Sequence, residues 1–297
     1  MMKSRQSLKN LAKAALLHSL TLIVFLFSGC SSSTEPTFQK EDIAQAITGI
    51  CKKEHNIDIK AKLAGSTLWI YYPTENILEK TDKPEKSTAI FSTEFTQIEP
   101  LGSNFKIDYV IKAIPPKEET QEYKYNKKVG EKINKIWSVL RRVVFSTDHA
   151  TEKEPQFYRV VSADLKNGFE IEEMAHYLDL KKFSYGLMSV TEYQHRSIQD
   201  IRVNPAIVGD KEGTHVIYKD TTMDDFIAAQ IKHRIKLRFQ KPEAAKNVNI
   251  DKEVLKIAIY TIKAYNYRNF EELDINNIFT NNNIILNKTA VFTTKTE

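Results

Sequence analysis

The sequence predicts an α+β fold: mixed or antiparallel sheet packed by several amphipathic helices, with helix–strand–strand units recurring along the chain. Three observations carry this. Stretches with helical period and stretches with strand period both occur. They do not alternate in the regular beat of a doubly wound parallel sheet. A helix-then-strand order recurs near 41–72, 127–165 and 251–292, as a repeated arrangement rather than a repeated set of residues.

The elements follow in order. Glu41 to Glu54 reads as a helix, because Ile43, Ile47, Ile50 and Cys51 share one face. Ile57 to Leu63 alternates with period two, Ala64-Gly65-Ser66 is a turn, and Thr67 to Tyr72 is a second strand. Thr74 to Lys86 is a charged excursion. Thr88 to Ile98 and Phe105 to Ile114 hold strand-forming residues. Pro115 to Thr120 reads as a linker, since Pro115-Pro116 starts a strand poorly and the segment has no apolar anchor. Lys127 to Phe145 is the strongest helix, with Val129, Ile133, Ile136, Trp137, Leu140 and Val144 in one stripe. Gln156 to Leu165 reads as a strand, Glu170 to Leu180 and Ser189 to Ile198 as helices, and Thr214 to Lys219 as a short strand. Thr222 to Ile235 is helical with Met223, Phe226, Ile227 and Ile231 inward; Asp251 to Tyr265 is a helix opened by an acidic cap. An Asn-rich loop, 276–283, precedes a closing strand over Ile284 to Thr293. The parts on either side of Pro115–Gln121, an N-terminal α+β subdomain (38–114) and a C-terminal one (121–297), form one domain or two.

The first 29 residues have the layout of a secretory signal peptide. Lys3, Arg5, Lys9 and Lys13 form a basic flank, an apolar stretch runs from Ala14 to Phe27, and small residues close it. The stretch is shorter than the roughly 20 residues a spanning helix needs. Ser28-Gly29-Cys30 at its end resembles the lipobox of bacterial lipoproteins, with Phe27 where that family commonly has Leu. The resemblance implies that the leader is cut before Cys30, that Cys30 is the lipid attachment site, and that acyl chains on it hold the protein on a membrane. Ser31 in place of Asp implies the outer membrane, facing the periplasm, in an envelope that sorts by that rule. Each buried methylene contributes ~0.8 kcal/mol, so two or three chains anchor stably. Residues 30–37 form a lipidated tether; the seven residues from Ser31 to Thr37 span roughly 15 Å as a coil and keep the domain close to the bilayer.

The charge balance argues against nucleic acid. The chain has 43 Lys+Arg against 38 Asp+Glu. Without the leader's four basic residues, 39 face 38, too even for a basic nucleic-acid face. Two cysteines exclude a disulfide framework. With Cys30 acylated, Cys51 stands alone on an apolar helix face, where it reads as a buried hydrophobe.

Motifs that would carry chemistry are absent: no GxSxG, HExxH, CxxC, GxxxxGK[ST] or GxGxxG. Ser103-Asn104-Phe105-Lys106 matches S-x-x-K but lacks its companions, Lys288-Thr289-Ala290 being a near miss, and reads as a turn before a strand. His176 and Asp179, three apart, would face one metal on a helix but lack a third ligand. Glu192 and His195 could supply an acid or base to a cleft; Asp148-His149 reads as a surface turn. Aromatic groups at 69–72 and 260–267 read as core. No cofactor or metal is expected. The expected function is non-catalytic binding or assembly at the membrane surface, with an envelope protein as a further partner. The alternative is a periplasmic hydrolase with a site in His176–Arg196.

Overall fold

A computed structural model describes residues 38, 42–146, 155–240 and 248–295. The signal peptide, Cys30, the tether and Asp148-His149 lie outside the described residues. The described chain runs α1 (Ile43–His55), β1 (Lys60–Ala64), β2 (Thr67–Thr74), β3 (Leu78–Leu101), β4 (Asn104–Tyr125), α2 (Lys127–Phe145), β5 (Phe157–Asp164), β6 (Phe169–His176), α3 (Tyr177–Ser184), α4 (Val190–Arg196), β7 (Ile198–Val203), α5 (Met223–Phe239), α6 (Ile250–Ala264), β8 (Glu272–Asn277), β9 (Asn282–Asn287) and α7 (Lys288–Thr293). The fold is α+β.

Two mixed sheets share one plan. The first has the order β1-β2-β5-β6-β7, the second β3-β4-β8-β9. In each, two hairpins lie side by side with their inner strands parallel, β2 against β5 and β4 against β8. Helix-then-hairpin units account for the recurrence in the sequence: α1-β1-β2, α2-β5-β6 and α6-β8-β9.

Alternation along the strands divides the core. In the first sheet Leu68, Ile70, Tyr158, Val160 and Ile171 meet the buried stripes of α1 and α2. Trp69, Tyr71, Val161 and Ala163 face the opposite side and are covered by Ile207, Val216 and Tyr218. Phe105, Ile107, Tyr109 and Ile275 of the second sheet pack on α5 and α6, and Phe157 and Met174 of the first sheet join that core. Both main cores therefore draw residues from each side of 115–121.

That segment corrects the reading of Pro115 to Thr120 as a linker. It lies inside β4, with Lys117 opposite Ala89 and Thr120 opposite Lys86. The register slips between Ala89 and Phe91, whose partners are Lys117 and Ala113, so the two prolines sit at a bulge where no ladder donor is needed. The charged excursion 74–86 is likewise mostly strand, forming a solvated two-stranded ribbon with β4.

Five further expectations are corrected. Residues 170–176 are strand, not helix. Glu170 and Glu172 face Arg202 and Arg159 across the sheet. The helix predicted to Ile198 stops at Arg196, and β7 follows it. Thr214 to Lys219 forms no strand; the Trp69 indole donates to the Lys219 carbonyl at 2.8 Å, fixing the segment by side-chain contacts instead. The closing strand ends at Asn287, whose side chain accepts from the Ala290 amide at 2.8 Å and starts α7. The cap of α6 is Asn249; Asp251, in the first turn, accepts from the Tyr109 hydroxyl at 2.5 Å.

Candidate functional site

The helix α2 stripe is buried except at Trp137, and this exception marks the site. Val129, Ile133, Ile136, Leu140 and Val144 are in the core. Trp137 instead lines an open cleft of about 1670 Å³, larger than the roughly 300–1,000 Å³ of ordinary small-molecule pockets. Ile171 and Glu173 of β6 and Ile198 and Ile201 of β7 line it from the sheet. Phe183, Val190 and Tyr193 line it from α3 and α4, and Leu237, Ile257 and Tyr260 from α5 and α6. Phe183 and Tyr193 stack with ring centres 4.4 Å apart, giving that side a flat aromatic surface.

Most of the lining surface is apolar, but polar side chains are interleaved with it, among them Asn134, Arg141, Glu173, Gln194, Gln199 and Lys256. Glu173 accepts from the Trp137 indole at 2.7 Å and the Gln199 amide at 3.3 Å. Burial pushes its carboxyl up; the two hydrogen bonds oppose that push and do not cancel it. His233 lies farther along the lining, and burial together with the nearby Arg234 and Lys236 charges pushes its imidazole down to about 4. Arg234 is held by its Nε donating to Gln230 at 3.2 Å and by the Tyr260 ring 5.0 Å below the guanidinium.

The residues singled out in the sequence fall into three places. His176 is buried among Phe157, Phe226 and Tyr265, and its Nδ1 has no hydrogen-bond partner; burial lowers its pKa. Asp179 lies in the first turn of α3 and accepts from Arg196 at 3.0 Å and from the Tyr265 hydroxyl at 2.6 Å. Glu192 accepts from Arg196 Nε at 2.7 Å and from the Tyr260 hydroxyl at 3.1 Å. Burial raises the Glu192 pKa, but the Arg196 bond and charge, the Tyr260 hydroxyl and the Arg234 charge together outweigh it, and the carboxyl is held below its usual range. The structure therefore gathers Asp179 and Glu192 around Arg196, an ion-paired brace tying α3 and α4 to α6. Of the four candidates only His195 lines the cleft.

The remaining motifs are structural. Ser103 lies in the β3–β4 turn, and Lys106 pairs with Asp108 at 3.0 Å rather than activating the serine. Lys288 pairs with Glu271 at 2.8 Å. Cys51 is fully buried, and burial pushes its thiol up to about 11. Among the described residues no group of three or more His, Cys, Asp or Glu is placed to hold a metal.

Sequence reasoning missed Glu173, His233 and Arg234. Glu173 was hidden by the helical reading of 170–180. His233 and Arg234 sit on the polar side of a correctly predicted helix, where nothing in the pattern separates a cleft from solvent. Trp137 was assigned to the core stripe; its indole N–H, which needs a partner when buried, is the one signal that it faces something polar.

One more surface feature adjoins the cleft. Tyr185, Leu187 and Val190 between α3 and α4 are exposed, Leu187 at 77%. Tyr185 stacks on Phe145, and the next residue, Ser146, accepts from the Phe38 amide at 3.1 Å. This apolar turn thus lies next to the first described residue after the tether.

No protein-family model, curated protein or solved structure matches the chain.

Proposed function

We propose that the protein is a lipoprotein of the bacterial envelope, held by acyl chains on Cys30, that binds an elongated, largely apolar ligand in the cleft between β6–β7 and the helices α2–α6. The observation that carries this reading is the cleft itself: a volume of about 1670 Å³ whose lining surface is mostly aliphatic and aromatic, with polar side chains interleaved. The position of the exposed α3–α4 turn supports it. A short tether ending at Phe38 would set Tyr185 and Leu187 against the bilayer and Val190 at the mouth of the cleft, giving a membrane-borne ligand a short path inward. Among the described residues no helix is long and apolar enough to cross a membrane.

The same geometry speaks against the hydrolase alternative. A hydrolytic site needs an acid or base within reach of a reacting group. Asp179 and Glu192 are instead bonded to Arg196 and tyrosine hydroxyls, and His176 is enclosed by aromatic rings; His195 lines the cleft, but among the described residues no carboxylate is hydrogen-bonded to it to orient the ring. An envelope protein that delivers or receives the ligand remains the fitting partner.

Photolabelling tests the proposal. Membranes holding the full-length chain are treated with an alkyl alcohol bearing a terminal diazirine, and labelled peptides are mapped by mass spectrometry. Label should concentrate in β6, β7 and α3–α5. It should fall at least about fivefold in the Val190→Asp/Ile201→Asp variant, which places two charges on exposed apolar lining residues. Label spread over the surface, unchanged by the variant, would sink the proposal. Intact mass and membrane partition of the wild type beside Cys30→Ala test the anchor separately.

A further inference from the structure

The cleft has one wall whose charges are not matched from within. It is made where the end of α4 meets α5 and α6: the Gln230 amide donates to the Arg196 carbonyl, and Tyr260 supports Arg234. The Nη2 group of Arg234 is buried and has no hydrogen-bond partner. Its nearest carboxylate oxygen, Glu192 Oε1, is 3.9 Å away and already bonded to Arg196 and the Tyr260 hydroxyl. Arg238, one turn on, is satisfied by Glu253 at 2.8 Å. A buried cationic donor left without an acceptor is costly, and Arg234 is held in place by its neighbours rather than free to turn to water. His195 and His233 line the same wall.

The geometry points to an anion subsite at Arg234, His233 and His195, which takes the sulfate-, phosphate- or carboxylate-type head of an amphiphile whose chain lies along Phe183, Ile198 and Leu237. The inference rests on the binding reading of the cleft and adds the ligand's class: an amphipathic anion rather than a neutral apolar molecule. A guanidinium fits such a head because it presents parallel N–H groups to paired oxygens. The surroundings of His233 agree. The groups that act on it are Arg234 and Lys236 of α5, His195 of α4 and Asp200 of β7, and burial with the Arg234 and Lys236 charges holds its imidazole down at about 4. A bound anion would oppose that effect, so binding takes up a proton. Affinity for a permanently charged head then rises as pH falls from about 6.5, the ordinary imidazole value, towards 4.

The test compares two diazirine-tipped probes of equal chain length on membranes holding the full-length chain, an alkyl sulfate and the alkyl alcohol. The sulfate should half-saturate cleft labelling at a concentration about tenfold lower or more, the effect of one charge-assisted hydrogen bond. Arg234→Gln should remove that advantage and Arg234→Lys restore part of it, with both variants melting as one transition. Between pH 7.5 and pH 5 the sulfate should gain severalfold, and His233→Asn should flatten that dependence. Equal half-saturation of the two probes, or an unchanged advantage in Arg234→Gln, overturns the subsite while leaving the cleft's binding role standing. Protection by sodium sulfate at the alkyl sulfate's own concentration would assign the subsite to free anions and overturn the amphiphile. Cleft labelling by neither probe overturns the binding role and the subsite together.

Discussion

The two faces of strand β6 handle charge in opposite ways. Glu170 and Glu172 point to one face and Glu173 to the other, because successive side chains alternate. On the first face both glutamates have charged partners. Glu172 accepts from Arg159 at 2.6 Å and from Arg202 at 2.8 Å. Glu170 accepts from Arg202 and lies 3.0 Å from His215 Nε2, whose other ring nitrogen is 2.7 Å from Asp210. The segment that carries Asp210 and His215 is drawn onto the sheet so closely that a Cβ at Gly213, with φ 70°, would stand 2.8 Å from the Tyr71 ring. On the second face Glu173 is held by an indole and an amide, and Arg234 across the cleft has an open donor. Matched buried charge locks a loop to a sheet. Unmatched polar groups around an open apolar volume mark where something else is meant to sit.

The comparison breaks most visibly on the matched face. Glu172→Ala leaves Arg159 buried beside Thr221 without its carboxylate. Removing one partner of a buried pair should cost about 3 kcal/mol, read as a lowered urea midpoint with ligand labelling of the cleft retained in the folded protein. A loss below about 0.5 kcal/mol, the scale of an exposed pair, would show that this network holds nothing in place.

A smaller effect of opposite sign is expected on the cleft face. The Glu173 carboxyl is raised in the folded state, chiefly by burial, so the folded protein binds more protons than the unfolded chain as pH passes through that range. Its ionised form opposes folding above that range, and the penalty disappears below the unfolded value of about 4.3. Glu173→Gln keeps the shape and can still accept from Trp137. It should melt as high as wild type at pH 4, and up to about 3 °C higher at pH 7.5. A lower melting temperature at pH 7.5 would mean that the charged carboxylate supports the fold.

The sequence made the regular elements legible and the site only in part. Helix α2 was readable because its apolar stripe is uninterrupted, and α5 because Met223, Phe226, Ile227 and Ile231 share one face. β6 was not, because its acids answer arginines on β5 and β7 that adjoin it only in the folded sheet. The prolines of β4 misled for a related reason: a bulge set by the pairing of two distant segments accommodates them. In the site, the 176–196 stretch was rightly a place where polar groups converge, yet what converges there is an ion-paired brace. The cleft beside it is assembled from β6, β7 and helices α2 to α6, and no local pattern records a volume between elements so far apart in the chain.

The most direct test of the central claim needs no added probe. The full-length chain is purified from the membranes of a bacterial host, denatured, and its extractable small molecules are analysed by mass spectrometry beside those from Val190→Asp/Ile201→Asp. The account predicts an amphipathic anion at near-equal stoichiometry with the wild-type chain, distinct from the acyl groups on Cys30, and its loss from the variant. The same lipids at the same level in both proteins would contradict it.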